Sequence, residues 1–214
     1  IVAIASVPIV KWSAISLVSL VAAALIVVYG GSEWRLARTY DVPKIVLRNI
    51  DRPPSAARGE RWSQILGCQG CHQPAGQVFF DVPMVGRLIA PNLTRVATEY
   101  SDAELVVLLR AGIKRDRTSA ITMPADAYAW LADEDVVDLV AWLRTLKPVP
   151  DSTTATTSWR PLARFAMLTG AFRFSADLAK PVSTAVAQPK EPPLARGEYL
   201  EHVLCSHCHR MTEE

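Results

Sequence analysis

All four cysteines of the chain lie in two copies of one pattern, Cys68-Gln69-Gly70-Cys71-His72 and Cys205-Ser206-His207-Cys208-His209. C-x-x-C-H occurring twice, with no cysteine left over, constrains the fold more than any other feature. Two thiols three residues apart on a helical turn can each add to one vinyl group of a haem, and the adjacent histidine then sits beneath the iron as its proximal ligand. The expected cofactor is therefore haem c at two covalent sites: Cys68, Cys71 and His72, and Cys205, Cys208 and His209. Three other chemistries use paired cysteines. A redox dithiol follows a strand and has no use for the histidine. A zinc ribbon or finger keeps its cysteine pairs much closer together. A disulfide closed within C-x-x-C is strained.

The sixth iron ligand is approached by elimination. The histidines are His72, His202, His207 and His209, so residues 73–201 offer the first haem no second imidazole. Methionine is the alternative, and His/Met ligation raises the potential into the range useful for electron transfer. Met84 lies twelve residues past His72, a tight path, and Met167 falls in a stretch that reads as linker. Met123 is the best placed: it precedes Pro124, which lacks a backbone donor and favours an extended strap.

Hydrophobicity is concentrated at the start. Between Lys11 and Glu33 lie 21 uncharged residues, and at 1.5 Å per residue a helix of that length spans roughly 30 Å, the thickness of a bilayer core. Trp12 to Tyr29 is read as a transmembrane helix with an aromatic residue at each end, and Gly30-Gly31 as its exit. A cleaved signal peptide would have a shorter apolar region and a small-x-small site after it, so an uncleaved anchor is favoured. Ser16, Ser19 and Ala23 share one face, which either admits a second transmembrane helix or merely bonds the carbonyls one turn back. A formal net charge of +2, with 23 basic against 21 acidic residues spread along the chain, argues against a nucleic-acid partner.

Around the first motif the pattern is helical. A helix is expected over Ser55 to Gly67, its Arg and Glu alternating with Ala57, Trp62, Ile65 and Leu66. Ser101-Asp102-Ala103-Glu104 is a capping box opening a helix that Gly112 stops. A third helix runs from Asp133 to about Lys147, with Glu134 and Asp135 favourable in its first turn and Val136, Val140 and Leu143 facing the core. The expected class is all-α: anchor 1–32, connector 33–50, a haem unit over 51–148, a linker over 149–192 rich in Pro, Thr, Ser and Ala, and the start of a second haem unit at 193–214. Ala57-Arg58-Gly59-Glu60 before the first motif and Ala195-Arg196-Gly197-Glu198 before the second suggest duplication. Five residues follow His209, so the second unit is expected to be incomplete, with its sixth ligand supplied by a further C-terminal segment, by a partner subunit, or by none. Within the linker, Pro161 to Phe174 mixes aromatics with Arg164 and Arg173, as a membrane-surface segment or an interdomain spacer would. Arg110, Lys114, Arg115 and Arg117 form a basic cluster suited to an acidic partner or to haem propionates, or simply to solvent.

APNLT at Ala90 to Thr94, YSDAELVVLLRAGIKRD at Tyr100 to Asp116, Met123-Pro124 and LADEDVVDLVAWLRTLKPV at Leu131 to Val149 resemble the membrane-anchored multihaem cytochrome c subunits of bacterial periplasmic dehydrogenases. The similarity runs over residues 33–214. It implies tandem class I cytochrome c domains in which the first and last helices cross, with Gly59 permitting the close approach and Met123 as distal ligand. It also implies a single-pass protein of the bacterial inner membrane, its haem domains in the periplasm, that passes single electrons between donor and acceptor among other subunits and transforms no substrate itself. A subunit of a photosynthetic or other large membrane assembly is the alternative, and a dihaem peroxidase a more distant one.

Overall fold

A computed structural model describes residues 6–179, 193–205 and 209. His207, Cys208, Met211 and the linker residues 180–192 lie outside the described residues. The first element is helix α1, Ser6–Ala37. From Lys11 onward it is long and apolar enough to cross a membrane, and Trp12, Leu17, Val18, Leu20 and Ile26 are all exposed on it. The helix does not end at Gly30-Gly31 as its sequence suggests. It continues for a further turn and a half, because Gly31 serves a side contact: a Cβ there would come within 2.7 Å of Leu168 Cδ1.

An extended connector follows, bridging Thr39 to Thr118 and turning Ile45 and Leu47 onto the core. Helix α2, Ala56–Ile65, is capped by Ser55. The motif helix α3 is Cys68–His72, and strands β1, Gln77–Val82, and β2, Gly86–Ala90, form a hairpin after it. Helices α4, Leu93–Glu99, α5, Asp102–Ala111, α6, Ala125–Tyr128, and α7, Asp133–Thr145, complete the unit. The capping box forms at Ser101 and Glu104, and Gly112 adopts the left-handed conformation that closes α5.

Helix α7 is the axis of the core. Val136, Val140 and Leu143 are buried together with Leu139 and Trp142, against Leu105, Val106 and Leu109 of α5 and Leu93 and Ala97 of α4. Across it lies α2, whose buried residues are Gly59 and Ser63. Ala57 and Ile65 face outward instead of inward. The reason is steric: the two backbones meet at Gly59, where a Cβ would stand 1.9 Å from the Asp138 carbonyl oxygen.

The acidic start of α7 does more than complement the helix dipole. Asp133, Glu134, Asp135 and Asp138 are all buried, and between them they hold the connector, α2 and Arg110 of α5. Asp133 takes Arg110 and the Arg48 backbone N–H, and Glu134 takes the Arg48 guanidinium. Asp135 accepts from Trp62 Nε1 at 2.7 Å. Asp138 accepts from Arg52, from Arg58 Nε at 2.7 Å and from the Ser55 N–H at 2.7 Å. Burial alone would raise the Asp138 pKa, but the Arg52, Arg58 and Ser55 hydrogen bonds outweigh it and hold the carboxyl below its ordinary value.

The fold is mostly helical, yet the all-α expectation needs correction. A three-stranded antiparallel sheet, in the order β1-β2-β3, is closed by strand β3, Ser158–Trp159. Neither β1 nor β3 advertises itself: β1 leaves Val78, Phe79 and Val82 exposed instead of alternating cleanly, and it carries a register shift between Val78 and Phe80. Residues 149–179, expected as linker, are packed. Asp151 accepts from Asn92 and Arg95, and the Ser152 N–H bonds Ala75. Helix α8, Pro161–Thr169, lies on α1, and α9, Ser175–Leu178, follows the fully buried Phe174. Helix α10, Pro193–Leu204, carries the second motif's approach.

Candidate functional site

Gly67, in the left-handed conformation, ends α2 and starts the single turn of α3. Cys71 N–H bonds the Gly67 carbonyl at 3.2 Å, so residues 68 and 71 follow one another around the same turn. Both thiols are free. Burial pushes the Cys68 thiol up to about 11, the opposite of the lowered value that a redox dithiol needs for its attacking thiolate. Among the described residues no group of three or more His, Cys, Asp or Glu side chains converges as a metal site.

His72 Nδ1 lies 2.9 Å from the Pro91 carbonyl oxygen. A carbonyl only accepts, so Nδ1 donates its proton and Nε2 keeps its lone pair for a metal. Burial lowers the histidine's pKa, outweighing the Pro91 contact, and keeps the ring neutral, as an iron ligand must be. Two free thiols on one turn, followed by a neutral imidazole of fixed tautomer, fit a covalently attached haem iron.

Several residues that hold this arrangement carry no mark in the motif itself. Gln77 Nε2 donates to the carbonyls of Gly70 at 2.7 Å and Cys71 at 2.9 Å, satisfying the end of α3. Asn92 is buried and caps α4 through Oδ1, while its Nδ2 donates to Val149 O and Asp151. That brace fixes Pro91, its neighbour. Tyr128 donates to the Leu66 carbonyl at 2.9 Å, joining α6 to the residue two before Cys68, and burial drives its pKa upward. The APNLT resemblance pointed to the Pro91 and Asn92 segment. Nothing local pointed to Gln77 or Tyr128, whose partners are main-chain carbonyls.

Met123 lies in an irregular segment between Thr122, whose φ is 59°, and α6, and it packs half-buried against the core. Met167 is fully buried in α8 beneath the far end of the chain, and Met84 is exposed in the β1–β2 turn.

The basic cluster read in the sequence is dispersed. Arg110 is 1% exposed and pairs with Asp133, donating also to the carbonyls of Ala129 and Leu131. Lys114 pairs with Asp116, Arg115 with Glu104 and Arg117 with Asp41. Arg110 is thus a core brace and no part of a docking patch.

The second motif opens at the end of α10. The Cys205 N–H bonds Glu201 O at 2.8 Å and the His209 N–H bonds Cys205 O at 3.0 Å. Helix α10 sits on the first unit. Val203 is buried in its core, and the Tyr199 ring meets Trp62 edge-on at 6.3 Å. The Tyr199 hydroxyl accepts from the Ala132 N–H at 3.0 Å and donates to Asp135 at 2.7 Å. Since Ala132 has no capping side chain of its own, Tyr199 acts as a cap for α7 delivered from another helix. His202 stacks on Trp130 with ring centroids 4.9 Å apart.

Residues 56–147 match the family model described as Cytochrome c. The chain is also 34% identical over 109 residues to the fructose dehydrogenase cytochrome subunit of Gluconobacter japonicus, a match covering 45% of this chain and 22% of that protein. The chain thus spans about a fifth of that relative's length. It carries a cytochrome c domain, and such a domain implies covalently bound haem c.

Proposed function

We propose that this protein is a membrane-anchored, periplasmic c-type cytochrome that transfers single electrons as a subunit of a dehydrogenase or respiratory complex. The observation that carries the proposal is His72, placed directly after two free thiols and held by Pro91 O so that Nε2 is available. The cytochrome subunit that the chain resembles supports the assignment to a dehydrogenase. Haem c, when bound, supplies a one-electron couple. Cys68 and Cys71 would attach it, His72 and Met123 would be its iron ligands, and the buried side chains of α5, α6 and α7 would keep water away. Held by two protein ligands, such a haem would exchange electrons and transform no substrate. Cys205, Cys208 and His209 hold a second haem in the same way, which makes the chain at least dihaem.

The anchor reading draws support from what happens beyond the apolar stretch. Ser32 is fully buried, and Arg164 reaches Glu33 at 2.6 Å, Ser32 Oγ at 2.8 Å and the face of Tyr29 at 4.6 Å. Arg35 and Arg38 both pair with Asp177. Of these contacts only the one to Tyr29 would be lost by cleavage near Gly30, and it ties the uncharged stretch itself to α8.

A haem stain on a denaturing gel, combined with the intact mass of the purified protein, tests the proposal. Two covalent haems on a chain that keeps residues 6–37 are expected; a chain without covalent haem overturns it. Met123→Ala is expected to abolish the red absorption band of oxidised Met-ligated haem c, and survival of that band in a folded protein overturns the ligand assignment. Strong binding of carbon monoxide to the reduced protein at the first haem favours the peroxidase-type alternative, because a saturated iron resists it.

A further inference from the structure

Helix α8 has three faces, and two of them are occupied. Ala163 and Met167 are buried, and Arg164 and Leu168 engage α1 at Glu33 and Gly31. The third presents Leu162 and Phe165, each 54% exposed. Beside it stands the β1–β2 turn. The Leu162 N–H bonds Met84 O at 3.0 Å and Arg160 Nη1 bonds Val82 O at 3.0 Å, so the turn and the helix start form one surface. Met84 is 59% exposed there and Val82 43%. The helix and the turn thus expose four sizeable apolar side chains together, with Arg160 paired to Asp81 beside them and Arg164 turned to Glu33.

The location decides what covers this surface. Helix α8 is joined to α1 at Tyr29 to Glu33, where the uncharged stretch of α1 ends and where a spanning helix leaves the hydrocarbon for the headgroup layer. An apolar face held at that depth matches the chemistry of a bilayer interface, which takes aromatic and aliphatic side chains into the acyl boundary. We propose that the Leu162 and Phe165 face of α8 and the Val82–Met84 turn form a second membrane contact, seated in the headgroup region of the same leaflet from which α1 emerges. The cytochrome domain is then fixed against the bilayer at two points and does not swing on a tether. This inference rests on α1 being a retained membrane span.

Site-directed spin labelling tests it in the full haem-loaded chain reconstituted in vesicles of phosphatidylcholine with phosphatidylglycerol. Single variants Phe165→Cys, Met84→Cys, Val21→Cys within the span and Glu60→Cys on α2 are labelled with a nitroxide, the parent chain setting the background. Collisions with lipid-soluble oxygen and with a water-soluble nickel chelate are then compared. The expected result is an oxygen-to-nickel ratio several-fold higher at residues 165 and 84 than at residue 60, and highest at residue 21. If residues 165 and 84 collide with nickel as freely as residue 60 while residue 21 stays in lipid, the contact is refuted and the anchor stands. If residue 21 is itself accessible to nickel, the anchor reading falls and the contact with it. Labels at 165 and 84 shielded from both reagents mean that a protein covers the face, which also overturns the proposal.

Discussion

The two C-x-x-C-H motifs are approached by helices that share Ala-Arg-Gly-Glu, yet the shared residues do different things. In α2, Gly59 lies against the Asp138 carbonyl with no room for a Cβ; in α10, Gly197 has nothing within 4 Å. The first helix crosses the last helix of its own domain, and its glycine is a packing requirement. The second is docked through its aromatic side, with Tyr199 and Val203 on the surface of the first domain, and its glycine is idle in this setting. A repeated sequence therefore predicts a repeated local element, while the neighbour that element finds sets which residue becomes indispensable.

The sharpest way to break this comparison is to add one methyl group at each glycine. Gly59→Ala forces the α2 and α7 backbones apart and is expected to cost more than about 4 kcal/mol, the range of severe core lesions, seen as a large fall in thermal midpoint. An unchanged midpoint would mean that the crossing tolerates a Cβ. Next is Asp138→Asn, which leaves Arg52 and Arg58 without their shared buried anion and should cost about 3 kcal/mol in denaturant titration. The pH signature follows from its lowered native pKa. The Asp138 contribution is complete above the ordinary carboxyl value, about 4, and is lost as pH falls below it toward the native value. Acid titration of the wild type should therefore be steeper in that window than that of the variant; parallel curves would remove Asp138 from the account.

Tyr199→Phe probes the other side of the comparison. Losing the hydroxyl that caps α7 and bonds Asp135 should cost about 1–2 kcal/mol and speed amide exchange across residues 193–204, with the first domain's core exchange little changed. If α10 exchanges as before, its docking does not depend on that hydroxyl. The smallest effect belongs to Gly197→Ala, expected to be neutral or stabilising by up to about 1 kcal/mol from helix propensity alone. A loss comparable to that of Gly59→Ala would show that the second helix has a close partner of its own.

What was legible follows the range of the interactions. Ser101 and Glu104 cap α5 across three residues, Gly112 ends it, and Val136, Val140 and Leu143 repeat at the helical period, so each was readable in place. The expectation of a haem site at Cys68, Cys71 and His72 rests on equally short spacing. Arg110 was not: its charge suggested a surface patch, whereas Asp133 and two carbonyls on another part of the chain draw it into the core. The hairpin was missed because β1 does not alternate, and residues 149–179 looked like linker because Pro, Thr and Ser say nothing about the Asn92, Arg95 and α1 side chains that receive them.

The sequence alone determined the chemistry and the helices, because thiol spacing, caps and apolar periods act over one or two turns. The tertiary structure decided what no short window contains: that Pro91 fixes the His72 tautomer, that the acids of α7 capture the connector, α2 and Arg110, that Gly31 receives Leu168, and that Tyr199 caps a helix more than sixty residues earlier in the chain. Those contacts join residues far apart in the chain, and a hydrogen bond or a close approach between them exists only once the chain has brought both partners to the same place.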